Sequence, residues 1–419
     1  MAYTRLMARS SAIDRLSALS DDVLLNHILS KISYRDVVRS SLLSQRWRLL
    51  WTKIPRLKFC PEDFEKQKDG RIQAIINNAL LHLDTRLSCL ELTVALDDPK
   101  AAYINNWIRL AAEKQVERMD IHICNRDPKT GKRISNGASP MMELGDSIFS
   151  CENLTVLTVQ YIQLPKMPTN FGVFRSLKAV RYAGIPNLDD AMFEGFMDLC
   201  PHLQDLGILR CLGLKNLNIQ SSNLMWIHLG ALRPDISLQL TCPRLMEIGL
   251  IDSGQYAGLK WLKLLQQISR AKSVKKVILQ NYNTGNAVNP GMPSIIVLNS
   301  FPGLEELTIH GQCFQEMISD EMPTAEVALP NLKMVRAHIG PDKGAQAVIF
   351  LGFLLRNSPL SVTRVFLPEH CPPIMQNNIL NLERDFSKSR LSTATKTWSM
   401  NLKAVCQLCT RRVEYYSQT

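Results

Sequence analysis

From Leu87 onward the chain repeats one arrangement of apolar positions: an apolar residue, two others, a second apolar residue, one other, a third. It runs Leu87-Leu90-Leu92, Val116-Met119-Ile121, Leu154-Leu157-Val159, Leu177-Val180-Tyr182 and Leu203-Leu206-Ile208. It continues as Leu224-Ile227-Leu229, Leu245-Ile248-Leu250, Val274-Val277-Leu279, Leu304-Leu307-Ile309 and Leu332-Val335-Ala337, and Val362-Val365-Leu367 closes the series. The starts fall roughly 20 to 40 residues apart. Alternation over the last three positions is what a strand with one buried face produces. The leading apolar residue turns the chain into that strand. A unit this short buries its face only against its neighbours, so the units are expected to stack on one core. Helical patterns lie between them: "RIQAIINNALLHL" puts Ile72, Ile75, Ile76, Ala79, Leu80 and Leu83 on one face, and "GLKWLKLLQQISRA" and "AQAVIFLGFLLRN" read similarly. Two further alternating pieces, Leu214-Leu217-Ile219 and Ile236-Leu238-Leu240, are expected as strands on the opposite side of the stack. The competing arrangement is a βαβ sheet.

Ahead of the repeats, residues 20 to 51 read "SDDVLLNHILSKISYRDVVRSSLLSQRWRLLW". Ser20, Asp21 and Asp22 suit a helix start, where free N–H groups and the dipole favour oxygen and negative charge. Leu25, Ile28, Leu29 and Ile32 then share a helical face, and Ser33 breaks the run. In the second pattern Val38, Leu42 and Leu43 fall on one side, continued by Trp47, Leu50 and Trp51, until Pro55 ends it. A segment of this length makes a poor core alone. Part of its apolar face is therefore expected to meet something else, either the next domain of the same chain or the helices of another protein.

The stretch "LSDDVLLNHILSKISYRDVVRSSLLSQRWRLLW" resembles an F-box, in the version common in plant F-box proteins with leucine-rich repeats. The matching elements are Leu19 with the acidic pair after it, Ile28-Leu29, "RDVVRSSLLSQRW" ending at Trp47, and "RLLW" closing at Trp51. Ser20 stands where the family usually has proline, and one extra residue separates Leu19 from Ile28. An insertion inside a helix rotates what precedes it by about 100°, so Leu19 is expected either displaced or absorbed in a turn. The apolar triplets likewise resemble the irregular leucine-rich repeats that follow an F-box in plant proteins. Cys124 after Ile121 and Cys211 after Ile208 fall in the slot that takes Asn or Cys in that repeat. The segment from "LPNLKMVRAHIG" to "SVTRVFL" is loosely similar to the FBD segment that ends many such proteins.

The expected fold is an α/β solenoid, an irregular leucine-rich-repeat horseshoe preceded by a small all-α F-box. The expected division is a flexible N-terminus over 1–14, the F-box over 15–55, repeats over 56–370 with 330–370 FBD-like, and a C-terminal helix and tail over 371–419.

Composition narrows the function. Hydrophobic residues make up 46% of the 419, enough for a real core, and no apolar run approaches the ~20 residues that cross a bilayer. The first residues carry arginines without a signal-peptide apolar core, so a soluble protein of cytoplasm and/or nucleus is expected. The 11 scattered cysteines fit a reducing compartment better than a disulfide framework. A net charge of +11 suits an acidic partner, nucleic acid or a solvated surface, but the basic residues are dispersed. The densest basic cluster, "NRDPKTGKRISNG", reads as a loop. Catalytic constellations are missing: "GPDKG" has the wrong spacing for a phosphate loop, and Cys406 and Cys409 lack a second pair for zinc. No metal and no cofactor are expected. Cys151, Cys200 and Cys242, each just ahead of a repeat's first leucine, read as buried packing residues.

The resemblance implies a non-catalytic substrate receptor of a cullin-RING ubiquitin ligase. Its F-box would bind a Skp-family adaptor and, through it, the cullin and RING subunits. The residues expected to carry that contact are Leu19, Leu25, Ile28, Leu29, Val38, Leu42, Trp47, Leu50 and Trp51. An unidentified protein target would meet the repeats through residues between the buried apolar positions: Arg181, His228, Lys276, Thr308, His310, Arg336 and His338. Several are basic, which suits an acidic or phosphorylated target. The alternatives are a basic solenoid scaffold or nucleic-acid-associated protein without a ligase role, and an F-box protein that binds the adaptor but recruits no target for degradation. Neither a membrane nor nucleic acid is an expected partner of the first reading.

Overall fold

The computed structural model describes residues 16, 18–60, 69–84, 86–95, 103–124, 142–167, 174–233, 235–252, 268, 272–281, 298, 301–311, 329–338, 354 and 364–366. Several sequence expectations lie outside these residues: the arm 1–14, the basic loop 125–137, "GPDKG", the Cys406–Cys409 pair and the C-terminal segment 371–419. Of the helical patterns 258–271 and 345–357, only Ile268 and Leu354 are described, both buried. The chain divides into two compact units, Met1–Ser176 and Leu177–Thr419.

The first unit opens with short helical pieces. Helix α1 is Asp21–Val23, capped by the Ser20 side chain, which accepts from the Val23 N–H. The chain then widens into one π turn over Leu24–Ile28, where Leu29 N–H reaches back five residues to the Leu24 carbonyl, and tightens into a 3-10 turn over Leu29–Lys31. A π turn is how a helix takes up one surplus residue without rotating what precedes it. It falls where the sequence carries its extra residue relative to the F-box pattern. Helix α2 is Tyr34–Ser40, capped by Ser33, and α3 is Gln45–Leu50. Strand β1, Arg56–Phe59, follows at once; its Leu57 and Phe59 are buried. Then come α4 (Asp69–Leu81), β2 (Cys89–Ala95), α5 (Ile104–Glu113), β3 (Arg118–Cys124) and β4 (Val156–Gln160). Within α4 and just beyond it, Ile76, Ala79, Leu80 and Leu83 are buried as their spacing requires.

Strands β1 to β4 pair in parallel and in chain order. The second apolar position of each unit falls in register: Leu57 beside Leu90, Leu90 beside Met119, Met119 beside Leu157. Strand β1 carries the same triplet, Ile54-Leu57-Phe59, with all three residues buried, one unit ahead of the series that begins at Leu87.

The second unit contains β5 (Ala179–Ala183), α6 (Asp190–Leu199), β6 (Asp205–Leu209), β7 (Asn216–Gln220), β8 (Trp226–Gly230), β9 (Ser237–Thr241) and β10 (Glu247–Asp252). It ends with β11 (Lys276–Asn281), β12 (Glu306–Gly311), β13 (Met334–His338) and β14 (Arg364–Phe366). Strands β5, β6, β8, β10, β11, β12, β13 and β14 form a parallel array. One continuous row of buried positions runs Val180, Leu206, Ile227, Ile248, Val277, Leu307 and Val335. Strands β7 and β9 pair only with each other. These are the two extra alternating pieces of the sequence, and they do form a separate strand pair. A doubly wound βαβ sheet reverses its strand order at a switch point. Here the order follows the chain within each unit, which is an α/β repeat.

The joints repeat too. One carbonyl ahead of a strand accepts from two successive N–H groups of the neighbouring unit: Pro55 from Ser88 and Cys89, Lys178 from Gln204 and Asp205, Gln204 from Met225 and Trp226, Met225 from Met246 and Glu247. After β4, β5, β6 and β8 the chain turns through a left-handed residue, respectively Tyr161, Gly184, Arg210 and Ala231. The N–H groups of Gly184, Arg210 and Ala231 donate to the carbonyls of Leu209, Gly230 and Ile251. In five units a buried residue three positions before the first leucine accepts that leucine's N–H on its carbonyl. It is Cys151, Cys200 or Cys242 in three units and Phe301 or Leu329 in two others. Cysteine shares this slot with phenylalanine and leucine, so it serves there as a packing residue. Burial pushes the thiol of Cys151 up to about 12 and those of Cys200 and Cys242 upward as well, which keeps them unreactive.

Candidate functional site

The residues singled out in the sequence fall on two surfaces: the helical segment of the first unit and the sheet face opposite the apolar row of the second.

The helical segment closes a core of its own. Leu24, Leu29, Val37, Trp47, Leu50 and Ile54 form one buried cluster, with Leu19, Leu25, Ile28 and Trp51 packed partly buried against it. Arg46 on α3 locks the start of α1, through Nε to Asp21 Oδ1 at 2.8 Å and Nη2 to the Leu19 carbonyl at 2.6 Å. The segment is seated on the repeats by Tyr34 against Phe59, with ring centroids 5.0 Å apart, and by Thr52 Oγ1 donating to Asp84 Oδ2 at 2.8 Å.

The expected contact residues divide by burial. Leu29, Trp47 and Leu50 are interior; Trp47 keeps only 4% of its surface. They hold the module together and offer little surface to a partner. The helical pattern over residues 34 to 51 is interrupted: α2 stops at Ser40. Ser40 and Ser41 hydroxyls donate back to the Val37 and Val38 carbonyls, and α3 starts afresh after Ser44. Within α2 Val37 points inward and Val38 outward, Leu42 and Leu43 stand out in the turn after it, and the restarted α3 buries Trp47 and Leu50. What remains outside is apolar: Leu42 is 86% exposed, Leu43 66% and Leu49 63%, with Ile32 and Val38 above a third. Of the expected contact residues, Leu42 and Val38 are exposed, Leu19, Leu25, Ile28 and Trp51 are half-buried, and Leu43, Leu49 and Ile32 were left out.

On the second unit, two rows of polar positions alternate with the apolar row. One holds Asp205, Trp226, Glu247, Lys276 and Glu306; the next holds Arg181, Gly207, His228, Gly249, Ile278, Thr308 and Arg336. The expected target residues fall on this face, but they are engaged with one another's neighbours. Arg181 pairs with Asp205; His228 Nε2 lies 3.1 Å from Glu247 Oε1 and Nδ1 lies 3.9 Å from Asp205 Oδ1; Lys276 Nζ donates to Glu247 Oε2 at 2.8 Å; Arg336 meets Glu306 at 3.5 Å. His228 and Thr308 are buried. The described basic side chains of this face are therefore paired with the chain's own carboxylates. The side chains of His310 and His338 lie outside the described residues.

Glycine makes room for this network. His228 sits in register between Gly207 and Gly249, and a Cβ on Gly249 would stand 2.2 Å from His228 Cδ2. Burial alone would raise the Glu247 pKa, but the His228 and Lys276 bonds and charges hold it down at about 2. Burial alone would lower that of His228, but hydrogen bonds to Asp205 and Glu247, with their charges, raise it. The sequence contains these carboxylates, yet nothing local marks them as partners of residues 19 to 30 positions away.

A small helical module with an outward apolar face, leading directly into parallel strand repeats, resembles the architecture of F-box proteins with leucine-rich repeats. Residues 16–59 match the F-box domain model, and residues 104–261 match the model for the leucine-rich repeats of the FBD-associated F-box protein At5g56370. The chain is 30% identical over 201 residues to the F-box/FBD/LRR-repeat protein At5g56420 of Arabidopsis thaliana, 48% of this chain and 44% of that protein. It is 27% identical over 267 residues to the putative FBD-associated F-box protein At5g56440 of the same plant, 62% of this chain and 59% of that one. The chain thus spans about half the length of the curated relatives it matches.

Proposed function

We propose that the chain is a substrate receptor of an SCF-type cullin-RING ubiquitin ligase: the F-box binds a Skp-family adaptor and the repeats present a target protein. The observation that supports this most is the exposed set Leu42, Leu43 and Leu49 on a module whose own core is already complete. Each such side chain is worth about 1.5–3 kcal/mol when covered, which is the anchor chemistry of a protein interface. Catalysis in this reading is proximity: tethering raises the concentration of target lysines near the charged E2 enzyme, and the receptor supplies no reacting group. The proposed adaptor surface is Val38, Leu42, Leu43 and Leu49, flanked by Leu19, Leu25, Ile28 and Trp51. The target surface is proposed on the polar sheet face around Arg181, His228, Lys276 and Arg336. A charge-balanced face suits recognition by shape and hydrogen bonds better than by bulk positive charge. Among the described residues no helix is long and apolar enough to cross a membrane.

The test is co-purification with a Skp-family adaptor. Leu42→Glu combined with Leu43→Glu should abolish capture while the far-ultraviolet circular dichroism stays that of wild type. Undiminished capture by the folded double variant would refute the assignment.

A further inference from the structure

The sheet face of the first unit holds a cluster that the ligase reading does not use. Cys89 and Glu91 lie two apart on β2, on the side opposite the buried Leu90 and Leu92, and Asp120 stands directly beside Glu91 on β3. One ligand atom from each, Sγ and two carboxylate oxygens, lie within 4.8 Å of one another. The oxygens are divided in a particular way. Glu91 turns Oε2 toward Lys58 at 3.6 Å and Oε1 toward Cys89 Sγ at 3.8 Å. Asp120 is 97% buried, at 3% exposure; its Oδ2 accepts from Arg118 Nε at 2.7 Å, and its Oδ1 has no hydrogen-bond partner. A buried carboxylate oxygen without a donor is costly. A cation beside it would remove that cost.

We propose that Cys89, Glu91 and Asp120 bind one divalent transition-metal ion of the zinc type, which cross-links β2 to β3. A thiolate with two carboxylate oxygens is a borderline-soft donor set that zinc accepts, with a fourth position left for water. The ion takes the place of the Cys89 thiol proton, which is released on binding, and turns toward itself the Glu91 carboxylate that otherwise faces the exposed Lys58. This site was invisible along the sequence because its ligands come from different strands and no short Cys/His spacing marks them.

Cobalt is the probe, since thiolate-bound Co(II) gives a charge-transfer band in the near ultraviolet. The reference is the full chain carrying Cys406→Ser and Cys409→Ser, stripped with chelator, so that the terminal pair does not contribute. Titration should give the band at one equivalent and raise the melting temperature. Cys89→Ser in that background should lose the band, and Glu91→Gln, at a half-buried position where folding is least at risk, should weaken cobalt binding at least tenfold. Zinc should displace the cobalt. The proposal is overturned if the reference shows no band, or if the band and affinity persist unchanged in a folded Cys89→Ser or Glu91→Gln chain.

Discussion

His228 carries the residue-scale logic of the second unit. It is buried, yet two carboxylates keep its pKa above the ordinary 6.5, and Glu247 in turn is held at about 2 instead of 4.5. Arg181 and Lys276 complete the set of charged groups around them. A raised histidine contributes stability that is fully present below about 6.5 and lost as pH rises through its folded pKa. A depressed glutamate contributes stability present above about 4.5 and lost as pH falls toward its folded value. Together they favour the folded unit most between about pH 4.5 and 6.5. The urea midpoint of the full chain is expected to fall between about pH 6 and pH 8.5, and His228→Gln to flatten that fall. An identical pH slope in the variant would remove His228 from the network's energetics.

At the scale of elements, the F-box separates two kinds of leucine and tryptophan that look alike in the sequence. Trp47→Ala, in the core, should cost about 3–5 kcal/mol and unfold the segment, whereas Leu49→Ala, on the same helix but exposed, should stay within about 0.5 kcal/mol. Urea unfolding followed by tryptophan fluorescence and circular dichroism measures both; equal losses would mean that α3 packs otherwise. The repeat strands were legible because each triplet imposes its own period and the same positions meet in register, as Val180, Leu206 and Ile227 do. The facing of the F-box was not, because its helices are short and their phase is set by serine hydroxyls and a π turn, which a periodic pattern runs straight through. The polar face of the sheet was legible as a face but not as a network. Asp205, His228 and Glu247 come from three successive strands, and only their pairing reveals that the expected basic groups are already neutralised. Strand β1 escaped for a simpler reason: its triplet Ile54-Leu57-Phe59 straddles Pro55, where the helical pattern ends, so Ile54 reads as the tail of the helical segment and not as the start of a repeat.

At the scale of the whole molecule, the F-box and the repeats are joined through backbone as well as side chains. The Pro55 carbonyl serves β2 just as Lys178 and Gln204 serve later strands, so the module's tail is the first rung of the sheet in its unit. The F-box therefore has both its core and its footing within the chain, while its outer leucines have neither. The central claim is that these leucines are an adaptor's docking surface, and calorimetric titration of the full chain with a purified Skp-family adaptor tests it most directly. Saturable one-to-one binding with a negative heat-capacity change, the mark of apolar burial, is predicted, weakened at least about 100-fold by Leu42→Glu with Leu43→Glu. No binding by the wild-type chain, or equal binding by the folded variant, would contradict the account.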